Sequence, residues 1–308
     1  MKKTRYFHPL DMILLLFLVV LTAVFIFFPL ADTEIGSPIA LSKSMVEGNQ
    51  SSVTNSMGNS TSWLFDLLVD GVDKAFGAFG LQVLLFMLLV CLGLSLFYSY
   101  RTFEARGLGS SVLLVGLYIM TPHLSLKPTT VSYIFLALSL GWTEKLLQRD
   151  KKSFWFLTLG TAIAGNLYSG AVLPVISTSL LILGKVLSDL IFIDRSVWIL
   201  HFQKYWRLAV IPFAMTLALV MNPGGYNNVR YFLEHQNIGD VIQFFEFAPP
   251  TFWAHPAFFV YFCFAFLVLA RFRSREFGKW FVFLAFGTLS AQMNRFTMEF
   301  FIVTSPFV

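Results

Sequence analysis

The constraint that narrows this chain most is the recurrence of long apolar runs almost free of ionisable residues. Runs at 12–30, 80–98, 129–147, 171–193, 206–221 and 254–270 approach the ~17–25 residues that carry an α-helix across a hydrocarbon core about 30 Å thick. Three shorter or more polar runs, at 110–122, 153–169 and 278–294, continue the series. With 56% hydrophobic residues, 13% charged residues and 36 Phe, the chain has too little polar surface to cover a soluble domain of its 308 residues. The expected fold is all-α: a polytopic transmembrane helical bundle of about nine spans, with 1–308 as a single transmembrane domain.

Charge distribution supports this count. Short cytoplasmic loops retain Lys and Arg, so with the N-terminus inside, alternate connections should be basic. They are: Lys2, Lys3 and Arg5; Arg101 and Arg106; Lys145, Arg149, Lys151 and Lys152; Arg195, Lys204 and Arg207; Arg271, Arg273, Arg275 and Lys279. Sixteen of the 22 basic residues therefore fall on one side. The net charge of +5 describes a cytoplasmic rim, and no basic patch interleaved with stacking aromatics points to nucleic acid. The expected location is a bacterial inner (plasma) membrane with the N-terminus cytoplasmic.

Cys91 and Cys263 fall inside apolar spans, where free Cys is expected to behave as a small buried hydrophobe; neither a disulfide framework nor a thiolate metal site is supported. The basic start and apolar run of 1–28 resemble a signal peptide, but the run is long and lacks a small-residue cleavage site, so it reads as a retained first span. No soluble domain is expected after the last span.

Two outer loops stand out. The first, with the helix that follows it, occupies 31–79 and carries Asp32, Glu34 and a polar tract from Asn49. Residues 63–79 read as a short interfacial helix with Trp63, Leu67 and Leu68 on one face and Asp66, Asp70 and Asp73 on another, the acids forming a solvated face. The second loop, 222–256, is aromatic and amphipathic, with room for short juxtamembrane helices at 226–235 and 238–247 before Pro249 and Pro250 stop the chain.

No P-loop, dinucleotide fingerprint, zinc-binding His-Glu pair or nucleophile elbow is present. What remains is a set of outer-face polar residues. Asp32 and Glu34 follow the first span; a carboxylate there can serve as a general base toward a hydroxyl or hold a divalent cation beside a phosphate. His123 and Lys127 stand at a membrane border, where they can meet an anionic headgroup or solvate a helix end. Asn166 can bond a sugar or cap a helix terminus. The second loop adds Asn222, Arg230, Glu246 and His255.

The order of these features resembles polytopic membrane proteins of the glycosyltransferase C superfamily, in particular the bacterial branch related to protein-mannosyl and lipid-A-sugar transferases. The segments that carry the resemblance are Ala31 to Gly36, Trp63-Leu64, Lys127-Pro128, Asn166 to Gly170, Asn222 to Gly225, Glu246 to Pro249 and Asn294-Arg295-Phe296. It implies a catalytic base at Asp32 with Glu34 as second acid, a sugar donor on a polyprenyl phosphate, and substrate contacts from the outer loops. The chain departs from that pattern at Ser37-Pro38 in place of Trp-His, at Tyr168 in place of His and at Phe247 in place of Trp. A second reading is a non-catalytic membrane subunit that binds lipid or partner membrane proteins. The expected partners are thus the bilayer, a lipid-linked sugar or other membrane proteins, and no nucleic acid; a divalent cation is the one cofactor left open.

Overall fold

A computed structural model describes residues 62–103, 126–192, 198–221 and 249–308. Among these the secondary structure is helical without strands. The helices are α1 (Trp63–Thr102), α2 (Pro128–Leu147), α3 (Lys152–Leu167), α4 (Val172–Phe192), α5 (Trp198–Val220), α6 (Pro256–Phe272), α7 (Phe277–Gln292) and α8 (Thr297–Thr304), with single 3-10 turns at Ser169–Ala171, Asn294–Phe296 and Ser305–Phe307. Seven of the nine expected apolar segments are these helices; those at 12–30 and 110–122, and the short helices expected at 226–235 and 238–247, lie outside the described residues.

Local chemistry sets the boundaries. Pro128 and Pro256 stand at the first positions of α2 and α6, where the missing N–H costs nothing and the fixed φ suits a helix. Between α2 and α3, the Asp150 carboxylate accepts the Lys152 N–H and the Ser153 hydroxyl, both at 3.1 Å, and so holds the first turn of α3. Helix α1, at 40 residues, is broken at Gly77, whose φ of 59° and ψ of −153° belong to a region open to glycine alone. The kink separates a first segment, 63–76, from the long helix that follows, which is the division the sequence predicts near residue 79.

Two helices, α1 and α4, are long and apolar enough to cross a membrane. Helices α3, α6 and α7 have 16, 17 and 16 residues, so each rises only about 24–26 Å, and a nine-span bundle does not follow from helix length. Their outward faces are nonetheless apolar, with Leu159 of α3, Val260 and Leu267 of α6 and Leu284 of α7 exposed. Cys91 and Cys263 also face outward, contrary to the expectation that they are buried. Helix length and composition placed them in apolar segments correctly, but not on the packed side.

The main core joins Leu92 and Leu96 of α1, Leu136 and Leu140 of α2, Ala265 and Leu269 of α6, and Phe283 and Phe286 of α7 around α8. Residues 296–308 are buried without interruption. Phe300 of α8 is ringed by Phe258, Phe262 and Phe283 at centroid distances of 5.8, 5.2 and 5.3 Å, and Tyr261 and Thr304 share a hydroxyl hydrogen bond of 2.8 Å. An eight-residue helix is not stable alone in water; this one owes its order to burial.

One end of the bundle is tied by cross-helix contacts near the basic turns. Ser188 of α4 donates to the Arg275 carbonyl and accepts the Phe277 N–H, both at 3.1 Å. Lys185 pairs with Asp189 at 2.7 Å, and Tyr205 of α5 donates to the same carboxylate at 3.0 Å. Lys185, inside the apolar run 171–193, is thus paired within its own helix.

Candidate functional site

The opposite end of the bundle, where α1 and α2 begin and α3 and α5 end, holds the polar residues of interest. Phe65 and Val69 of α1, Leu126, Val131 of α2 and Leu167 of α3 pack in one apolar cluster, while Leu219 of α5 packs on Ala164 and Ala171 beside it. On a helix, residues 65, 66, 69 and 70 share one broad face, so the contacts that bury Phe65 and Val69 also draw in Asp66 and Asp70. Both carboxylates are 4% exposed, whereas Leu68 faces outward. The solvated acidic face expected for this helix is therefore corrected: its acids point into the bundle and a leucine points away.

Burying a carboxylate costs several kcal/mol unless charge and hydrogen bonds offset it. Part of the offset is visible. The Lys74 ammonium, one turn on, lies 2.6 Å from Asp70, and the Ser62 hydroxyl donates to Asp66 at 3.3 Å. The remaining acid of this segment, Asp73, is half-buried. The Trp63 indole N–H is buried and has no hydrogen-bond acceptor among the described residues.

Lys127 is the residue before Pro128, extended at φ −124° and ψ 153° as its position before proline requires; its carbonyl accepts the Thr130 N–H at 3.1 Å. Asn166, in the last turn of α3, donates its side-chain amide to the Ala162 carbonyl at 2.8 Å, so it bonds within its own helix and is not an N-cap. Tyr168 breaks α3 at φ −164° and ψ 141°, and its ring lies over Gly170, where a Cβ would come within 2.0 Å of it. Tyr168 thus helps shape the turn in which the resemblance expects a histidine. Neighbouring Leu126 and Leu167 bring Lys127, Asn166 and Tyr168 to the level of Asp66 and Asp70. His255 precedes α6 and is half-buried, its N–H donating to the Thr251 carbonyl at 2.9 Å.

Asp32, Glu34, His123, Asn222, Arg230 and Glu246 lie outside the described residues. Among the described residues no group of three or more His, Cys, Asp or Glu gathers to hold a metal ion. A third buried acid, Glu299, is 2% exposed in the first turn of α8, close in sequence to the buried Asn294.

Asp66 and Asp70 were absent from the expected substrate-binding set. The signal for them was present in the sequence: acids at 66 and 70 sit one residue from Phe65 and Val69, at the same four-residue spacing. Compared with models of known protein families, with curated proteins and with solved structures, the chain gives no match.

Proposed function

We propose that the chain is an integral membrane protein that binds a lipid-linked sugar phosphate at the end of the bundle carrying Asp66, Asp70, Lys127, Asn166 and Tyr168, and transfers the sugar. The observation that carries this reading is the burial of Asp66 and Asp70 beside Phe65 and Val69 in the segment 63–76, while Leu68 faces outward. Ionisable groups facing a bundle interior mark substrate or ion sites. The apolar outward faces of α3, α5 and α6 support the same setting.

In this reading Asp32 takes the proton of an acceptor hydroxyl, with Glu34 as the second acid. The hydroxyl oxygen bonds to the anomeric carbon as the carbon–oxygen bond to the polyprenyl phosphate breaks, and the phosphate leaves with the bonding pair. Lys127, Arg230, His123 and His255 offset its charge in this reading. Asn166, Tyr168, Asn222 and Glu246 contact the sugar or the acceptor. In membranes supplied with polyprenyl-linked donor, Asp32→Asn should abolish transfer, and Asp66→Asn or Asp70→Asn should lower it by an order of magnitude or more; unchanged turnover in all three variants refutes the proposal.

A second reading, a non-catalytic membrane subunit, is favoured by the filled centre of the bundle, where 296–308 are wholly buried, and by the many outward Phe side chains. Purification in mild detergent separates the two, since a stoichiometric partner complex without bound sugar-lipid supports the subunit.

A further inference from the structure

The turn between α6 and α7, residues 273–276, carries three arginines within five positions of the sequence, counting Arg271 at the end of α6. They are not equivalent. Arg273 is committed to Glu276, with a 2.8 Å ion pair. Arg271 and Arg275 are exposed and face aromatic rings instead: the Arg271 guanidinium lies 5.6 Å from the Phe272 ring and that of Arg275 lies 5.6 Å from the Phe192 ring. A ring holds a guanidinium by its flat face and leaves the in-plane N–H edges available to an anion.

The aromatic partners are themselves outward-facing. Phe272 is 72% exposed and Phe192 54%, and Ile191 next to it is exposed as well. The turn is held to α4 by the two Ser188 hydrogen bonds and by Phe192 stacked on Phe277 at 6.1 Å. Two cations with open donor edges, seated against exposed apolar rings on a pinned turn, make an amphiphilic surface. A soluble acidic segment would satisfy only the charged half of it.

We propose that Arg271 and Arg275, with Phe192, Ile191 and Phe272, form a site for one anionic phospholipid, the arginines binding the headgroup phosphate and the apolar side chains flanking the acyl chains. This rests on the membrane reading given above. The other basic turn, with Lys151 and Lys152 followed by exposed Trp155 and Phe156, offers the same charge as compact ammonium groups and serves as the internal control.

The test uses the full chain in phosphatidylcholine nanodiscs titrated with phosphatidylglycerol, with retained lipid counted by native mass spectrometry. A basic residue at an anionic surface contributes about fivefold to binding, so the double variant Arg271→Gln/Arg275→Gln should lose about 30-fold in affinity for phosphatidylglycerol. Lys151→Gln/Lys152→Gln removes the same charge and should stay within about twofold of wild type if the site is local. Equal losses in the two variants would assign the effect to a diffuse field and overturn the proposal. Displacement of the lipid by inorganic phosphate would overturn the choice of a lipid ligand. If the glutamine variant does not fold, Arg271→Lys/Arg275→Lys replaces it; losing the bidentate fork should weaken retention several-fold, and undiminished retention overturns the site. Carbonate extraction of wild-type membranes isolates the underlying premise: release of the protein defeats the membrane reading itself, whereas resistance to extraction with no phosphatidylglycerol preference defeats the lipid site alone.

Discussion

Replacing Gly184 by alanine should destabilise the bundle, although alanine is the better helix former. A Cβ at Gly184 would lie 2.0 Å from the Gly278 nitrogen, 2.1 Å from its Cα and 2.6 Å from the Phe277 carbonyl carbon. These are backbone atoms, so no rotamer can give way. Restoring ordinary contact requires α4 and α7 to part by about 1.4–2 Å. That separation strains the two Ser188 hydrogen bonds, 3.1 Å each, which contribute about 1 kcal/mol apiece. Overpacking adds roughly 1–3 kcal/mol, against a propensity gain of about 1 kcal/mol. The net loss is on the order of 2–4 kcal/mol, or about 5–10 °C in Tm. Gly71→Ala is the matched control: that glycine is helical with nothing within 4 Å of an added Cβ, so only the propensity gain of up to ~1 kcal/mol operates. Thermal unfolding in detergent, followed by circular dichroism, should place the two variants on opposite sides of wild type. A Gly184→Ala protein as stable as Gly71→Ala would refute the argument that the α4–α7 approach needs glycine.

Three further outcomes follow from the same contacts. Gly77→Ala should cost about 1–2 kcal/mol or straighten α1, because φ of 59° is strained for an L side chain; proteolysis near residue 77 and Tm together detect either response, and an unchanged Tm with unchanged cleavage counts against the kink. A double-mutant cycle on Tyr261→Phe and Thr304→Val should return a coupling of roughly 1 kcal/mol for their buried 2.8 Å hydrogen bond, and additive effects would mean that the bond contributes nothing. Burial raises the Glu276 carboxyl, but Lys279 and Arg273 outweigh it and hold it below its ordinary value. Since a lowered carboxylate pKa stabilises the fold above the unfolded-state value of about 4.3, the advantage of wild type over Glu276→Gln should persist at neutral pH and fade as pH drops below that value and through the lower folded-state pKa. A Tm difference that does not change between pH 7 and pH 3 would remove the ion pairs as its cause.

Much of the helix layout was legible in the chain because it depends on local chemistry. Pro128 and Pro256 start helices where the sequence places span boundaries, and the basic turns at 149–151 and 273–276 fall between helices as the charge alternation requires. The candidate site was less legible. Lys127, Asn166 and Tyr168 were selected as polar residues at span ends, yet the Asn166 amide bonds its own helix and the Tyr168 ring covers Gly170. Asp66 and Asp70, the buried carboxylates at that end, were read as solvated because amphipathicity was judged by the rule for water.

The sequence by itself determined that the described segments are helical, where most of those helices start and stop, and that the turns at 149–151 and 273–276 are basic, since apolar run length, proline and charge act on neighbouring residues alone. Tertiary structure decided which side of each helix faces inward. A helix apolar on all sides carries no mark of its packed face, so Cys91 and Cys263 turn outward while Gly184 and Gly278 meet, and that choice is made by shape, small residues admitting close approach. The burial of 296–308 in the centre of the bundle was decided in the same way, by the space that the surrounding aromatic side chains leave.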